Sequence, residues 1–357
     1  MSCSRVQASR LWCPAVAAAC LVLAIGSAWA QKQPAAVPLL PGGNLALPAA
    51  TPEDWSSLTL AGSQLQAQPP LLGQRDQTSD FVRELWQVQW RNFDPIDLYV
   101  IRPLHATKPP VILYLYSYPT QTSRFRDDAY CRRLTEDGFA AVGFVSALTG
   151  HRYHSPRPLR ESFLSELQES LGSSAHDVQM ILNYLASRGD LDMTRVGMFG
   201  VGSGASIAIL AAAADPRIKT LDLLDPWGDW PDWLAKSGLV PDDKRAEYLK
   251  PEFLKKVAGL DPVQWLPGLK TQSIRLQEVA TDPVTPAICR QKLEAAAPPS
   301  AQQVRYDGAA GLYKISSAGQ LFQWIKKQLR PEQQPQAAAR VKPVSAAAGH
   351  GNQAEIR

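Results

Sequence analysis

Residues 200–204, Gly-Val-Gly-Ser-Gly, have the composition of a turn that takes part in chemistry. They follow the apolar segment 195–199 and precede the small-residue segment 203–214, so we expect this turn to join a strand to a helix. Two chemistries use such a turn. It can present a serine nucleophile above the edge of a sheet, or its glycines can let the backbone approach a dinucleotide pyrophosphate.

For a dinucleotide, the glycine fingerprint would be Gly200, Gly202 and Ala205, with Asp222 or Asp225 at about the distance needed to bind a ribose. That fingerprint normally follows the first strand of its sheet. Here a predicted hairpin and two predicted buried strands come before the turn. A dinucleotide-binding protein is therefore the second alternative, and the predicted function needs no cofactor.

The elements around the turn predict an α/β fold. Turn-rich residues 92–95 separate two segments that read as an antiparallel hairpin. Beyond it, apolar segments typical of buried strands alternate with segments of helical spacing, a rhythm that indicates parallel strands joined by helices. The hairpin segments are 84–90 and 96–101, the further strands are 111–116, 139–145, 195–199 and 218–224, and the helices are 129–135, 176–187 and 203–214.

The span 177–225 resembles the α/β-hydrolase superfamily, through the run Arg-Val-Gly-Met-Phe-Gly at 195–200 and Asp-Pro-Arg-Ile-Lys at 215–219. Within the superfamily it is most similar to the dienelactone hydrolase and prolyl-oligopeptidase-like branch. The resemblance extends in register over 84–329. It implies a mostly parallel central sheet with an N-terminal antiparallel hairpin and helices on both faces.

The resemblance also assigns the nucleophile position. The family pattern is Gly-x-Ser-x-Gly, whose outer glycines match Gly200 and Gly204, so the serine position falls on Gly202. Ser203 lies one residue late, where its side chain should point elsewhere and begin the following helix. Ser203 is therefore a weak alternative nucleophile, in a residual or rerouted ester or peptide hydrolase.

The sequence has the family's acid residue but lacks its base. Asp282 follows the predicted strand 274–280 and matches the family's acid, although an aspartate before proline is also a common turn residue. The base position falls near Gly311, in a predicted loop, and no histidine occurs between His176 and His350. A serine relay needs an imidazole. The resemblance thus implies a degenerate triad and a binding or scaffold protein that has lost its hydrolase activity.

Two further groups of residues are predicted to bind a ligand. Ser117 and Tyr118 follow the strand 111–116, where family members often have His-Gly near the oxyanion, and the next residue, Pro119, has no N–H to donate. Three tryptophans of an insertion at about 226–260 follow the strand 218–224, at the edge where α/β sheets bind ligands. These residues, Trp227, Trp230 and Trp233, either line a pocket or pack the core of the insertion.

No metal site is predicted. His151 and His154 lie near Asp127 and Asp128, but in a loop rich in proline and arginine that lacks defined ligand spacing.

Both ends of the chain differ in composition from the domain at 78–330. Residues 1–30 have two arginines, an apolar run too short to span a membrane, and Ala-Trp-Ala before Gln31, which predicts a secretory signal peptide and a periplasmic or secreted protein. Residues 31–77 read as a Pro/Ala/Gln-rich extension and 331–357 as a disordered tail.

Charge and cysteine content limit the partners. The formal net charge of +4 becomes +2 without Arg5 and Arg10, and no basic run is present, so we do not expect nucleic-acid binding. The predicted partner is a small apolar ligand or a protein. Cys131 and Cys289 remain after signal cleavage and are predicted to be separate buried thiols.

Overall fold

The structure is a computed structural model that describes residues 67–91, 94–120, 122–152 and 163–330, except for the side chain of His151. The predicted signal peptide, most of the predicted extension, the predicted tail and His154 lie outside the described residues. Every described residue belongs to one compact unit, Glu53–Arg357.

A sheet of nine strands forms the centre of this unit, in the order β1-β2-β3-β5-β4-β6-β7-β8-β9. The pairs β1-β2, β2-β3 and β3-β5 are antiparallel, and the pairs from β5 through β9 are parallel. This arrangement confirms the predicted α/β sheet with its N-terminal hairpin, formed by β2 and β3. The strands are β1 (Leu71–Gln77), β2 (Phe81–Val88), β3 (Ile96–Pro103), β4 (Pro110–Leu115), β5 (Ala140–Gly143), β6 (Asp192–Val201), β7 (Ile218–Leu224), β8 (Ser273–Val279) and β9 (Gln302–Tyr306).

Strand β1 corrects the predicted boundary at residue 77. The last residues of the predicted extension pair with β2 instead of forming a loose tether. Because β1 is an edge strand and most of its side chains are exposed, its sequence carries no buried apolar run that would mark it as a strand.

Helices connect the parallel strands. They are α1 (Asp128–Thr135), α2 (Leu167–Arg188), α3 (Ser203–Ala214), α4 (Trp230–Lys236), α5 (Asp242–Tyr248), α6 (Pro251–Ala258), α7 (Pro262–Trp265), α8 (Ala287–Ala296), α9 (Ala309–Ser317) and α10 (Gln323–Leu329). Helix α2 is longer than the predicted segment 176–187, since its first turns bury serines in place of an apolar stripe.

Each face of the sheet has its own apolar core. Val111, Leu113 and Leu115 of β4 pack in one cluster with α2 and α3. The alternate residues Ile112 and Tyr114 pack in a second cluster with α1 and α10. All six residues of β4 are buried, as expected for a strand covered on both faces. The predicted helices on both faces are therefore confirmed.

Candidate functional site

The turn between β6 and α3 has the shape that a nucleophile elbow requires. Gly202 lies at its apex with φ 55° and ψ −120°, a conformation that strains residues with a side chain. A Cβ atom at Gly200 would lie 2.5 Å from the Ala205 Cα, and one at Gly204 would lie 2.1 Å from the Leu115 carbonyl oxygen. The backbones thus crowd on both sides of Gly202, where the sequence pattern puts the outer glycines of an elbow.

The space above Gly202 is already filled. A Cβ atom there would lie 2.4 Å from the Ser117 Oγ, 2.8 Å from the Ser117 Cβ and 3.1 Å from the Trp227 Nε1. Real Cβ atoms essentially never come closer than 3.0 Å to another heavy atom. Ser117 therefore occupies the volume that a nucleophilic side chain at position 202 would need.

Ser203 is tied to the loop that follows β4. Its side chain is fully buried, and its Oγ accepts a hydrogen bond of 2.9 Å from the Tyr118 N–H. The Thr120 N–H donates to the Ser117 carbonyl at 2.8 Å, and Pro119 between them has no N–H. Because an oxyanion needs donors directed at an open position, the Tyr118 and Thr120 amides are not free to serve one. Ser203 instead holds this loop against the elbow.

At the acid position, Asp282 stabilises a turn. Its carboxylate accepts hydrogen bonds from the Val284 N–H at 3.2 Å and the Thr285 N–H at 2.9 Å. This is the turn role that an aspartate before a proline commonly has.

A second carboxylate, Asp225, lies at the same edge of the sheet. It follows β7 with a positive φ of 46°, and its Oδ1 accepts a hydrogen bond from the Val279 N–H at 2.8 Å. Burial, with a smaller effect from the negative charge of Asp282, raises the pKa of Asp225 to about 7. The sequence predicts Asp225 only as a ribose ligand, although its position after a buried strand also suits a buried acid.

The segment after β9 that contains the predicted base position is mostly helix and not the predicted loop. Gly311 lies in the first turn of α9, where a Cβ atom would contact the Cβ and Cδ1 of Tyr306 at 3.6 and 3.9 Å. A Cβ atom at Gly308 would instead lie 3.3 Å from the Oγ1 of Thr281, the residue before Asp282. Gly308, and not Gly311, therefore faces the acid turn. No imidazole occurs in β9, in α9 or between them.

The three predicted tryptophans pack the core. Trp227, Trp230 and Trp233 expose 2%, 1% and 0% of their surface. The rings of Trp227 and Trp233 stack at 4.7 Å, and the ring of Trp230 meets that of Trp233 edge-on at 5.8 Å. Of the two alternatives left open by the sequence, the structure has the second: these side chains fill the insertion and do not line an open pocket.

Ser206 of α3 fixes Trp227 against the elbow. The Ser206 hydroxyl donates to the Trp227 carbonyl at 2.7 Å and accepts from the Trp227 N–H at 2.9 Å.

A cavity of about 390 Å³ lies beside the elbow, at the carboxyl ends of β4, β6 and β7 and under α9. Ser117 of the predicted binding residues lines it, whereas Tyr118 is buried and stacks on Phe163 at 4.3 Å. Most of the wall could not be predicted from the sequence, because its residues are spread over several distant segments of the chain. The lining residues are Tyr116, Ser117, Thr120, Arg124, Phe199, Val201, Leu224, Ala309, Leu312, Tyr313, Ser316 and Leu321.

The dinucleotide alternative is not supported by its carboxylates. The Asp222 side chain is fully buried, where Arg275 donates to its two oxygens at 2.8 and 2.6 Å and Gln277 donates at 2.7 Å. Asp225 accepts a backbone N–H, as described above. Asp222 is thus enclosed between strands and cannot reach a ribose.

Three further properties follow from the described residues. Cys131 and Cys289 are free and buried, as predicted. The part of the chain that the structure describes contains no group of three or more His, Cys, Asp or Glu residues placed to bind a metal ion. In the same part, no helix combines the length and apolar character needed to cross a membrane.

Comparison with solved structures identifies the fold. Acetyl xylan esterase from Paenibacillus sp. R4 superimposes with a TM-score of 0.62, at 16% identity over 76% of this chain and 90% of the esterase. Acetyl xylan esterase 1 from Thermoanaerobacterium sp. JW/SL YS485 gives a TM-score of 0.58, at 15% identity over 71% of this chain and 87% of the other. Pyrococcus horikoshii acylaminoacyl peptidase gives 0.55, at 14% identity over 72% of this chain and 43% of the peptidase.

The chain therefore has the α/β-hydrolase fold, as the resemblance implied. No protein-family model matches it. A stretch of 92 residues is 27% identical to the uncharacterized protein YcjY of Escherichia coli (strain K12), and the match spans 26% of this chain and 27% of YcjY. This relative thus shares about a quarter of its length with the chain.

Proposed function

We propose that this protein is an α/β-hydrolase-fold protein that has lost serine-hydrolase activity and binds a small apolar ligand in the cavity beside its elbow. The main observation is the apex of the elbow, where Gly202 provides no nucleophile and Ser117 fills the space that one would need.

The two serines near the elbow are poor substitutes for a nucleophile. Ser203 is fully buried, and its oxygen accepts a hydrogen bond from the Tyr118 N–H. The Ser117 hydroxyl donates to the Tyr118 carbonyl at 3.3 Å. Neither serine has an imidazole partner from the segment after β9, since that segment contains no histidine. A serine hydroxyl at its ordinary pKa is weakly nucleophilic without an adjacent base.

The expected loss of rate is large. Removing a triad serine or histidine costs on the order of 10⁶ in kcat, and removing both costs little more because they act as one unit. What remains in such cases is about 10³- to 10⁴-fold over water, from binding and oxyanion donors. Here the Tyr118 amide is also engaged by Ser203. Ester hydrolysis at a working rate is therefore not expected.

Ester turnover tests the loss of activity. The purified chain is assayed with p-nitrophenyl acetate and p-nitrophenyl butyrate, beside the single variants Ser203→Ala and Ser117→Ala. We expect the three proteins to give the same rate, within about twofold of buffer containing an equal mass of an inert protein. Turnover well above that background, abolished by either variant, would make the protein a rerouted hydrolase.

The cavity supports the proposed binding role. Its volume of about 390 Å³ lies within the range of about 300–1,000 Å³ that small-molecule sites occupy. Most of its wall is apolar, with contributions from Phe199, Val201, Leu224 and Leu312. Binding of the neutral dye N-phenyl-1-naphthylamine, which fluoresces on entering an apolar site, measures this directly. A Leu312→Arg variant is expected to abolish the signal, and full binding by that variant would rule out this cavity.

Export is the remaining part of the proposal. It is supported by the basic, apolar and Ala-Trp-Ala segments of residues 1–30. The protein is expressed in a bacterial host, and its N-terminus is sequenced from the periplasmic fraction. We expect the chain in that fraction to begin at Gln31. Recovery of a chain that still begins at Met1 from the cytoplasm would contradict export.

A further inference from the structure

Among its described lining residues, the cavity beside the elbow has one cation in a mostly apolar wall. Arg124 reaches it from the short 3₁₀ helix Thr122–Arg126. The guanidinium carbon lies 3.7 Å from the centre of the Tyr116 ring, which lines the same cavity. Such stacking holds the planar group by its face and leaves its N–H groups directed outward from the edge.

The charge of Arg124 is not balanced from the cavity wall. No aspartate or glutamate belongs to the described residues that line the cavity. Arg152, which is fully buried, differs in this respect. Arg152 binds Asp94 and Asp177 at 2.7 Å each. A guanidinium held against an aromatic ring, in a cavity without a carboxylate, is suited to receive an anion from a ligand.

The rest of the wall limits what else that ligand carries. Phe199, Val201, Leu224 and Leu321 offer apolar contact. The other polar side chains among the described lining residues are uncharged hydroxyls, such as those of Ser117 and Ser316. A polyanion such as a nucleotide phosphate would leave charges without partners here. A single acid group on a compact apolar body matches both the cation and the wall.

We propose that this cavity binds an apolar monocarboxylic acid, with Arg124 as the residue that recognises its carboxylate. The proposal rests on the proposed binding function and specifies its ligand class. Tyr116 acts as the positioning residue, since its ring holds the guanidinium in place.

Competition experiments on the full chain test this ligand class. N-phenyl-1-naphthylamine, which is neutral, reports occupancy of the cavity, and octanoate and 1-octanol are titrated as competitors that share an alkyl chain and differ in charge. Arg124→Gln is expected to weaken octanoate by about tenfold or more, as for the loss of a hydrogen bond to a charged group, and to leave 1-octanol unchanged. Arg126→Gln is the matched control: it removes an exposed arginine from the same 3₁₀ helix that does not line the cavity.

Each outcome has a defined meaning. If Arg124→Gln weakens both competitors equally, or neither, the acid-recognition proposal is wrong while ligand binding in the cavity stands. If the dye does not bind the unmodified protein, the binding function itself is wrong, and the ligand class with it. Arg124→Lys, which keeps the charge without the planar stacking group, guards against a misfolded variant and should bind octanoate with intermediate affinity. Octanoate affinity in Arg124→Lys no better than in Arg124→Gln would also overturn the proposal.

Discussion

Replacing Gly202 by alanine tests whether Ser117 occupies the nucleophile's volume. The substitution adds one Cβ atom at a point 2.4 Å from the Ser117 Oγ and 2.8 Å from the Ser117 Cβ. Ordinary contact begins at 3.4 Å, so the Ser117 side chain must move by about 1 Å. The positive φ of 55° adds backbone strain that glycine does not experience.

These two effects set the size of the loss. A residue with a side chain in a sparsely populated backbone region costs about 1–3 kcal/mol. Inserting a methyl group into packed surroundings costs about another 1–3 kcal/mol. We expect Gly202→Ala to lower the free energy of unfolding by about 2–6 kcal/mol, measured by urea denaturation followed by tryptophan fluorescence.

A matched control separates strain from crowding. Gly189 also has a positive φ, of 73°, but a Cβ atom there meets nothing within 4 Å. Gly189→Ala should therefore lose about 1–2 kcal/mol, from the backbone alone. In a Ser117→Gly background, which removes the two Ser117 atoms and leaves the Trp227 Nε1, the cost of Gly202→Ala should fall by about 1–3 kcal/mol through the coupling of the two sites.

The cycle can refute the packing interpretation. A coupling energy below about 0.5 kcal/mol is within the range of independent sites. That result, or a loss for Gly202→Ala no larger than for Gly189→Ala, would mean that Ser117 does not fill the space above Gly202.

Three further predictions concern the buried polar groups around the site. Because burial raises the pKa of Asp225 to about 7, above about 3.9 in the unfolded chain, the stability from this carboxyl is present below pH 4 and lost as the pH rises to 7. Asp225→Asn should thus raise the melting temperature at pH 8 more than at pH 4, and equal shifts would contradict this. Ser203→Ala leaves the buried Tyr118 N–H without its acceptor and should cost about 1–3 kcal/mol in urea denaturation; an unchanged midpoint would refute this role. Arg275→Met leaves the Asp222 charge buried and unpaired, so it should cost about 3–5 kcal/mol, and the added change Asp222→Leu should restore part of that loss. No recovery in the double variant would count against the ion pair.

The helix and the strand beside the elbow could be predicted from the sequence because residues that break helices and strands flank them. The predicted segments 203–214 and 218–224 coincide with α3 and β7 residue for residue. Glycine at the start of the helix and Asp215-Pro216 after it leave little freedom for the boundaries. The fold class followed from this alternation and from the family resemblance together.

Parts of the site could not be predicted because they depend on contacts between distant segments. Arg124 meets the elbow region through the fold, and nothing in its local sequence distinguishes it from the other surface arginines. The position of α9 decides that Gly308, and not Gly311, faces the acid turn. The family's spacing placed the base position near Gly311, and that spacing does not reflect the short connection between β9 and α9.

The role of the three tryptophans could not be predicted from the sequence for a different reason. Aromatic residues suit both a pocket wall and a core, because they bury a large apolar area in either place. Their spacing after β7 therefore left both options open. The stacking of Trp227 on Trp233, and the Trp230 indole N–H donated to the Leu260 carbonyl at 3.0 Å, decide between them in favour of packing.

Covalent labelling by a fluorophosphonate tests the proposed loss of the nucleophile most directly. The purified chain is incubated with excess reagent, next to an active serine esterase as a positive control, and the intact mass is measured. We predict that the mass of this chain stays unchanged while the esterase gains one adduct. A stoichiometric adduct that maps to Ser203 or Ser117 would contradict the proposed loss of activity, because it would show an activated serine beside Gly202.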